Sequence, residues 1–316
     1  MDIAIFVICI AIAITMIFRG YNIALSIGIA TLLYTLTIFG LDSINVIISA
    51  IDMSLANTLL ALLSAMFLAG LYSSTKASKE LVESMASISP RASSIAIPMA
   101  IGLLPMPAGA YVSAALVDEL YNRFGLNSIQ KTFINYWYRH VWVSIWPLYQ
   151  VVILSSAILN IPIRDIVLNN IPIAIAYILS GTIVFLHIYR NRNTVYGGRR
   201  VFRGLIHLWP FILIALFSIA LDINIALSIA ITSILFIAIY RPSKENIYRA
   251  IRYMFNPTII GLIIFSFIFS RAIERSNIAY SFASIFKGYE ALALFLTPFT
   301  IVLATGFEFI TKSFTL

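Results

Sequence analysis

The sequence predicts an all-α polytopic membrane protein with inverted structural repeats, re-entrant hairpins and about eight crossing helices. Hydrophobic residues make up 61% of the chain and charged residues only 11%, with a mean hydropathy of +0.96. A soluble domain carries roughly one quarter charged residues. The hexapeptide at residues 22–27 also recurs without change at 224–229, and each copy begins a long apolar run. Such internal duplication is typical of secondary transporters built from repeats.

The crossing helices are predicted from eight apolar segments, several of which approach the roughly 20 residues that span a bilayer. Helices satisfy their own backbone in lipid, and the alternating pattern of a membrane β-barrel is absent from these segments. The first segment lacks the basic region and cleavage site of a signal peptide, so we expect it to be retained. The segments are 3–18, 21–39, 54–72, 131–159, 170–189, 205–221, 223–240 and 257–271.

The order of apolar runs around the two hexapeptides indicates two related halves. Each hexapeptide is preceded by one run and followed by another, at 55–71 and at 257–270. We therefore predict a first repeat at 1–165 with a hairpin at about 94–117. A linking helix and basic loop at 166–204 follow, and then a second repeat at 205–316.

The second repeat is expected to be incomplete at its own hairpin. The counterpart of the first hairpin's break falls near Thr305 and Gly306, which are therefore candidate substrate-binding residues as well, close to the last residue, Leu316. A truncated or frameshifted gene, a split transporter completed by a second polypeptide, and a reduced remnant that no longer transports all fit this pattern.

The distribution of positive charge predicts the topology. The formal net charge is +8, and the basic residues fall in alternate connections. By the positive-inside rule these connections are cytoplasmic, which places the N-terminus outside and makes the two repeats inverted. We expect a multi-pass protein of the cell (plasma) membrane. The basic connections lie at 19, 76–91, 123–131, 190–203 and 241–252.

A re-entrant hairpin is predicted between the third and fourth crossings. Both flanks of this apolar stretch are basic, so the chain should enter the membrane and return. Prolines remove backbone donors and glycine permits close backbone approach, and the half-helix that follows would direct its amides towards an anion. An ordinary proline-kinked crossing helix is the alternative. The candidate substrate-binding residues here are Pro105, Pro107, Ala108, Gly109, Ala110 and Ser113.

The fourth crossing carries a candidate anion ligand. Asn135 and Arg139 are four residues apart and share a helix face, which Trp142 and Trp146 are expected to continue. Ionisable groups inside membrane segments are candidates for function, and an arginine fork suits an anion. The alternative is an arginine that snorkels at the cytoplasmic end of the helix.

The candidate proton-coupling residues near this segment are two carboxylates and one histidine. Histidine changes its charge near neutral pH and can therefore relay protons. A solvated cap at the end of the hairpin is the alternative for the carboxylates, and a structural role is the alternative for the histidine. The three residues are Asp118, Glu119 and His140.

The sequence argues against several other classes of protein. The three histidines are scattered, and neither an HExxH motif nor a pair of catalytic aspartates is present, so we expect no enzyme, no metal site and no cofactor. The single Cys9 forms no disulfide framework. The basic run near residue 200 anchors the topology rather than binding nucleic acid. The expected partners are the lipid bilayer and a small anionic solute, with a homodimer or a second polypeptide left open.

Several motifs resemble a known family. The stretches 103–110, 113–114, 117–119, 133–140 and 146–149 are similar to an uncharacterised family of prokaryotic integral membrane permeases. That family is related to the gluconate:proton symporters of the ion transporter superfamily. The resemblance implies a hairpin from each side of the membrane and a substrate pocket where the tips meet. It also implies proton-coupled transport of a carboxylate or sugar acid. A non-transporting subunit or truncated remnant of such a permease is the alternative.

The predicted topology can be tested by labelling single cysteines with a membrane-impermeant maleimide in a Cys9→Ala background. Because the basic connections are cytoplasmic, cysteines replacing Ser74 or Tyr196 should react only after the cells are permeabilised. A cysteine replacing Leu41 is the control and should react in intact cells. Labelling of position 196 in intact cells would contradict the topology.

Overall fold

The computed structural model describes residues 2–104, 109–190, 202–276, 278, 281 and 288. These residues are largely helical, and none of them forms a β-strand. Five helical segments in the described part are long and apolar enough to cross a membrane, and three shorter apolar helices accompany them. Each of the eight overlaps a predicted crossing, although Gln150–Leu159 covers only the end of 131–159 and Lys244–Arg275 also includes most of the predicted connection 241–252. The prediction of an all-α polytopic membrane protein is confirmed. The five are Ile23–Ser49, Met53–Ser73, Ile163–Tyr189, Arg203–Ala220 and Lys244–Arg275; the three are Asp2–Phe18, Gln150–Leu159 and Ile225–Tyr240.

The described residues contain fourteen α-helices, with short 3₁₀ turns at Gly40–Asp42 and Arg203–Leu208 and a π-helical turn at Leu216–Ala220. The α-helices are α1 (Asp2–Phe18), α2 (Ile23–Phe39), α3 (Ser43–Ser49), α4 (Met53–Ser73), α5 (Lys76–Ala86), α6 (Pro90–Gly102), α7 (Gly109–Arg123), α8 (Ser128–Arg139), α9 (Gln150–Leu159), α10 (Ile163–Tyr189), α11 (Trp209–Ala215), α12 (Ile225–Tyr240), α13 (Lys244–Met254) and α14 (Pro257–Arg275).

The chain divides into two compact units. The first contains Met1–Ala56 and the chain from Asn256 onwards, and the second contains Asn57–Phe255. This division does not follow the predicted repeat boundaries near 165 and 205, and the repeat assignment stays a prediction. Most of the predicted basic loop, at 191–201, and the predicted second hairpin arm lie outside the described residues.

The first unit is built around an aromatic cluster. The Tyr34 ring stands edge-on to Phe6 and Phe269, with centroids 5.9 and 5.8 Å away, and those two rings stack on each other at 5.9 Å. The buried Tyr34 hydroxyl lies 2.9 Å from the Ser276 hydroxyl. This hydrogen bond satisfies a polar group that burial would otherwise leave without a partner.

A network of ion pairs and hydrogen bonds links the start of α4 to α14 in the first unit. Asp52 accepts a hydrogen bond of 2.9 Å from the Leu55 N–H at the start of α4, and its other oxygen binds the Arg271 guanidinium. Arg271 also donates to Glu274 at 2.7 Å. Burial alone would raise the pKa of Asp52, but the Leu55 and Arg271 hydrogen bonds outweigh it and lower the pKa. Asp52 therefore stays ionised and ties α4 to α14.

The repeated hexapeptide forms the same helix start twice. Asn22 accepts hydrogen bonds from the N–H groups of the second and third residues of α2, at 2.9 and 3.3 Å. Asn224 does the same for α12, at 2.9 and 3.4 Å. The serine four residues after each asparagine donates to that asparagine's carbonyl, at 2.9 and 3.0 Å. The two copies are thus alike in structure as well as in sequence.

The fourth predicted crossing, 131–159, is not one continuous helix. Helix α8 ends at Arg139, α9 begins at Gln150, and the ten residues between them form turns. The expectation that Trp142 and Trp146 continue the helical face of Arg139 is therefore wrong. We call residues 140–149 the break.

Removal of the two asparagine caps should destabilise the protein unequally. Asn224→Ala should cost about 1 kcal/mol, because it removes the cap of α12. Asn22→Ala should cost more, because Asn22 also donates a hydrogen bond of 2.7 Å to Thr258. Thermal unfolding in detergent measures both, and Thr258→Val is the control that removes the second bond but leaves the cap. Equal losses for the two alanine variants would contradict this explanation.

Candidate functional site

The two predicted arms of the hairpin form two packed helices, and its re-entry into the membrane stays a prediction. Helices α6 and α7 contact each other, and both contact α8. The Tyr121 hydroxyl, near the end of α7, donates to the carbonyl of Ser94, near the start of α6, at 2.8 Å. The second arm therefore returns to the level at which the first arm began. Pro98 lies inside α6 without ending it.

The break supplies hydrogen-bond donors to the end of the first hairpin arm. The last carbonyls of any α-helix have no partner within the helix, and in lipid they need one from elsewhere. Two indole N–H groups and one phenol hydroxyl from the break fill this role. The bonds are Trp142 to Met99 at 2.9 Å, Trp146 to Leu103 at 3.0 Å and Tyr149 to Gly102 at 2.8 Å.

Gly102 allows the backbones of α6 and α8 to meet. A Cβ atom at this position would collide with the carbonyl oxygen of Arg139 and lie 3.1 Å from the Trp142 ring. Glycine is therefore required by close approach rather than by its own backbone angles. The contact fixes Arg139 beside the last turn of α6.

Arg139 is a buried cation at the end of α8, where the fourth predicted crossing is interrupted. The residue is only 7% exposed, and among the described residues its guanidinium forms no ion pair with a carboxylate. Its Nε atom has no hydrogen-bond partner there, and its Nη1 lies 3.4 Å from His140 Nε2. Asn135, one turn earlier, is buried as well. The shared face that the four-residue spacing predicts is therefore present.

Three tyrosines contribute to the electrostatic environment of this cation. The side chains of Tyr136, Tyr149 and Tyr253 all interact electrostatically with the Arg139 guanidinium. The Tyr253 hydroxyl oxygen is buried and, like Arg139 Nε, has no partner in the described part of the chain. Sequence reasoning missed Tyr253, because it lies on α13, more than one hundred residues away in a basic connection that the charge pattern predicts to be cytoplasmic. Only its place on the apolar side of an amphipathic helix could have singled it out.

The hydrogen bonds of His140 fit a neutral ring. Its Nδ1 lies 2.7 Å from the Tyr136 carbonyl, which can only accept, so Nδ1 carries the proton. Its Nε2 faces the Arg139 guanidinium, which can only donate, so Nε2 accepts. A second proton on this ring would meet a cation.

The two predicted carboxylates lie at the solvent-exposed end of α7. Asp118 binds Lys131 at 2.7 Å, and the hydrogen bond from that ammonium group holds the pKa of Asp118 below its usual value. Glu119 pairs with Arg123 at 2.6 Å. The structure brings neither carboxylate into contact with Arg139.

The remaining predicted site residues divide into two groups. Gly109 begins α7, and Ser113 is buried one turn later. The structure describes the helical backbone of Ala110 but not its side chain. No cluster of three or more metal-ligating side chains occurs among the described residues. Pro105, Pro107, Ala108, Thr305 and Gly306 lie outside the described residues.

Gly102→Ala should displace the hairpin arm from the break, because the new methyl group would overlap the Arg139 carbonyl oxygen. We expect a loss of roughly 1–3 kcal/mol, the usual range for overpacking, measured by thermal unfolding in detergent. Gly261→Ala is the matched control, since that helical glycine has only the Ala24 methyl nearby, at 3.3 Å. Equal stability of the two variants would contradict the tight contact.

Comparison with known protein families assigns the chain to one of them. No curated protein matches the chain. One family profile matches residues 3–316, which is nearly the whole sequence. The chain belongs to this family, DUF401, which is described as a protein of unknown function.

Proposed function

We propose that this membrane protein is a secondary transporter of a small organic anion, coupled to protons. The observation that carries the proposal is the buried Arg139 guanidinium, which has no carboxylate partner among the described residues. A buried charge without a partner is costly, and charged groups at membrane depth usually mark a transport pathway. A bound anion would supply the missing partner.

The surroundings of Arg139 suit a carboxylate. A guanidinium offers a planar fork of N–H donors that matches the two oxygens of a carboxylate. The Tyr253 hydroxyl adds a buried donor without a partner in the described part. Helix α9 begins just after the break, so its positive end also lies next to Tyr149. These groups together favour an anion over a neutral or cationic solute.

The break itself supports a transport role. Irregular backbone at membrane depth is tolerated where it is buried in protein or lines a watery cavity. Transporters with inverted repeats commonly bind their substrates at such broken helices. Proton coupling rests on the resemblance to the gluconate:proton symporters, and His140 beside Arg139 is one candidate to carry that proton.

We also propose that the N-terminus lies outside and that the host membrane is the plasma membrane. The ion pair between Asp52 and Arg271 joins two positions that the charge pattern predicts to be external. The pair between Glu80 and His207 joins the predicted cytoplasmic connection 76–91 to the first turn of the predicted crossing 205–221, which starts on the same side. Each pair supports the assignment of its own two positions to the same side of the membrane.

Replacement of Arg139 tests the transport proposal. Uptake of labelled gluconate and simple carboxylates is measured in proteoliposomes with an imposed pH gradient. Arg139→Gln should reduce uptake roughly 30-fold or more, the loss expected when one partner of a buried charge pair is removed. Uptake by Arg139→Lys should lie between that of the wild-type protein and that of Arg139→Gln, because lysine keeps the charge but loses the planar fork of donors.

The matched control is Arg123→Gln, which removes an exposed arginine that pairs with Glu119. It should leave uptake unchanged. Wild-type uptake by Arg139→Gln would remove Arg139 from the substrate site. If the folded wild-type protein transports none of the anions, the transporter proposal itself fails.

A further inference from the structure

A second polar cluster lies in the Asn57–Phe255 unit. It joins α5, the helix just before the first hairpin arm, to the start of the second predicted repeat. His207 Nε2 lies 2.8 Å from Glu80 Oε2, and His207 Nδ1 lies 2.6 Å from the Tyr240 hydroxyl. The Trp209 indole N–H donates to the same hydroxyl at 3.1 Å. These four side chains come from α5, the 3₁₀ turn at Arg203–Leu208, α11 and α12. Among the described residues this is the one histidine paired with a carboxylate.

The directions of these bonds are fixed by chemistry. An indole N–H can only donate, so the Tyr240 oxygen accepts from Trp209. The Tyr240 hydroxyl can then donate its own hydrogen to His207 Nδ1. In this neutral form of the ring, His207 Nε2 carries the proton and donates it to Glu80. A proton added to Nδ1 would instead donate to Tyr240 and form an imidazolium beside the carboxylate. The cluster can therefore hold either charge state of His207 without leaving a ring nitrogen unsatisfied.

The cluster also has access to water. The Glu80 side chain is 44% exposed, whereas that of His207 is 12% exposed. The hydrogen bond from His207 lowers the pKa of Glu80, and the nearby Arg203 and Lys76 charges act in the same direction. Tyr72 approaches from α4 and donates to the His207 carbonyl at 3.0 Å. The carboxylate thus lies between a shielded imidazole and solvent.

The position of the cluster connects it to the hairpin. The Gly204 N–H donates to the Ser84 hydroxyl at 2.8 Å, and a Cβ atom at Gly204 would collide with the Glu80 carbonyl oxygen. Helix α5 is joined to α6 in turn, because the Ser93 hydroxyl donates to the Met85 and Ala86 carbonyls at 2.9 and 3.0 Å. A change at the cluster can therefore reach the first hairpin arm through packed contacts.

We propose that Glu80 and His207 form the site at which the transporter exchanges its coupled proton with the cytoplasm. One proton leaves the His207 imidazolium for the Glu80 carboxylate and then for water. A neutral imidazole and an ionised carboxylate remain. The proposal rests on the proposed function and adds to it the residues that release the proton.

The test combines a spectroscopic and a transport measurement on the same variants. Histidine ¹⁵N NMR follows the titration of the purified protein, whose three histidines are assigned with single His→Gln variants. Glu80→Gln still offers an oxygen to His207 Nε2 but removes the neighbouring negative charge, so the His207 midpoint should fall by about one pH unit whether or not the pair carries the coupled proton. A purely structural pair predicts that the pH dependence of uptake does not follow this shift, whereas our proposal predicts that it does.

The second measurement is proton-driven uptake in proteoliposomes. Glu80→Gln should move the pH of half-maximal uptake down by about the same amount, and His207→Gln should abolish accumulation while leaving counterflow exchange intact. Glu83→Gln is the matched control, since Glu83 lies on the same helix and pairs only loosely with Lys79, at 4.0 Å. It should change neither measurement.

The outcomes separate the two proposals. A His207 midpoint that Glu80→Gln does not move, or full proton-driven accumulation by His207→Gln, overturns the proton-exchange site. Absence of uptake by the wild-type protein overturns the proposed function. In that case the NMR titration still decides whether Glu80 controls the protonation of His207.

Discussion

The hydrogen bonds between the break and the end of α6 are the constraint on which the candidate site depends. Helix α6 ends among buried residues, so its last carbonyl groups need partners other than water. Trp142, Trp146 and Tyr149 supply the missing donors, and they can do so only if residues 140–149 leave the helical path. Helix α8 therefore stops at Arg139. The need to satisfy one helix end thus places a cation beside the hairpin.

Hydropathy predicted the crossing helices well but did not predict the break. A long apolar segment in lipid has few alternatives to a helix, so local sequence decides its structure. The break is stabilised by hydrogen bonds to the carbonyl groups of another segment, α6. The sequence of residues 140–149 alone cannot show that these acceptors are nearby. Pro147 is the one local signal, and it lies near the end of the irregular stretch. The tryptophans looked like a helical stripe because their spacing is also four residues.

The same distinction separates the site residues that could be predicted from those that could not. Asn135 and Arg139 are related by helix geometry, so their common burial follows from sequence spacing. Tyr253 approaches Arg139 from α13, and the partners Glu80 and His207 are 127 residues apart. Only the packed structure brings such groups together. The charge pattern of the sequence predicts only the side of the membrane near which such groups lie. It does not predict which of them are in contact.

The repeated hexapeptide has the same structural role in both of its copies. Its asparagine and serine side chains satisfy backbone groups at the start of a membrane helix, a need that both copies share. Arg139 and Glu80 lie in the predicted first repeat, and Tyr253 and His207 lie in the predicted second repeat. If the repeat assignment holds, the proposed anion site and the proposed proton site each combine residues from both repeats, and neither repeat alone could couple the two ligands.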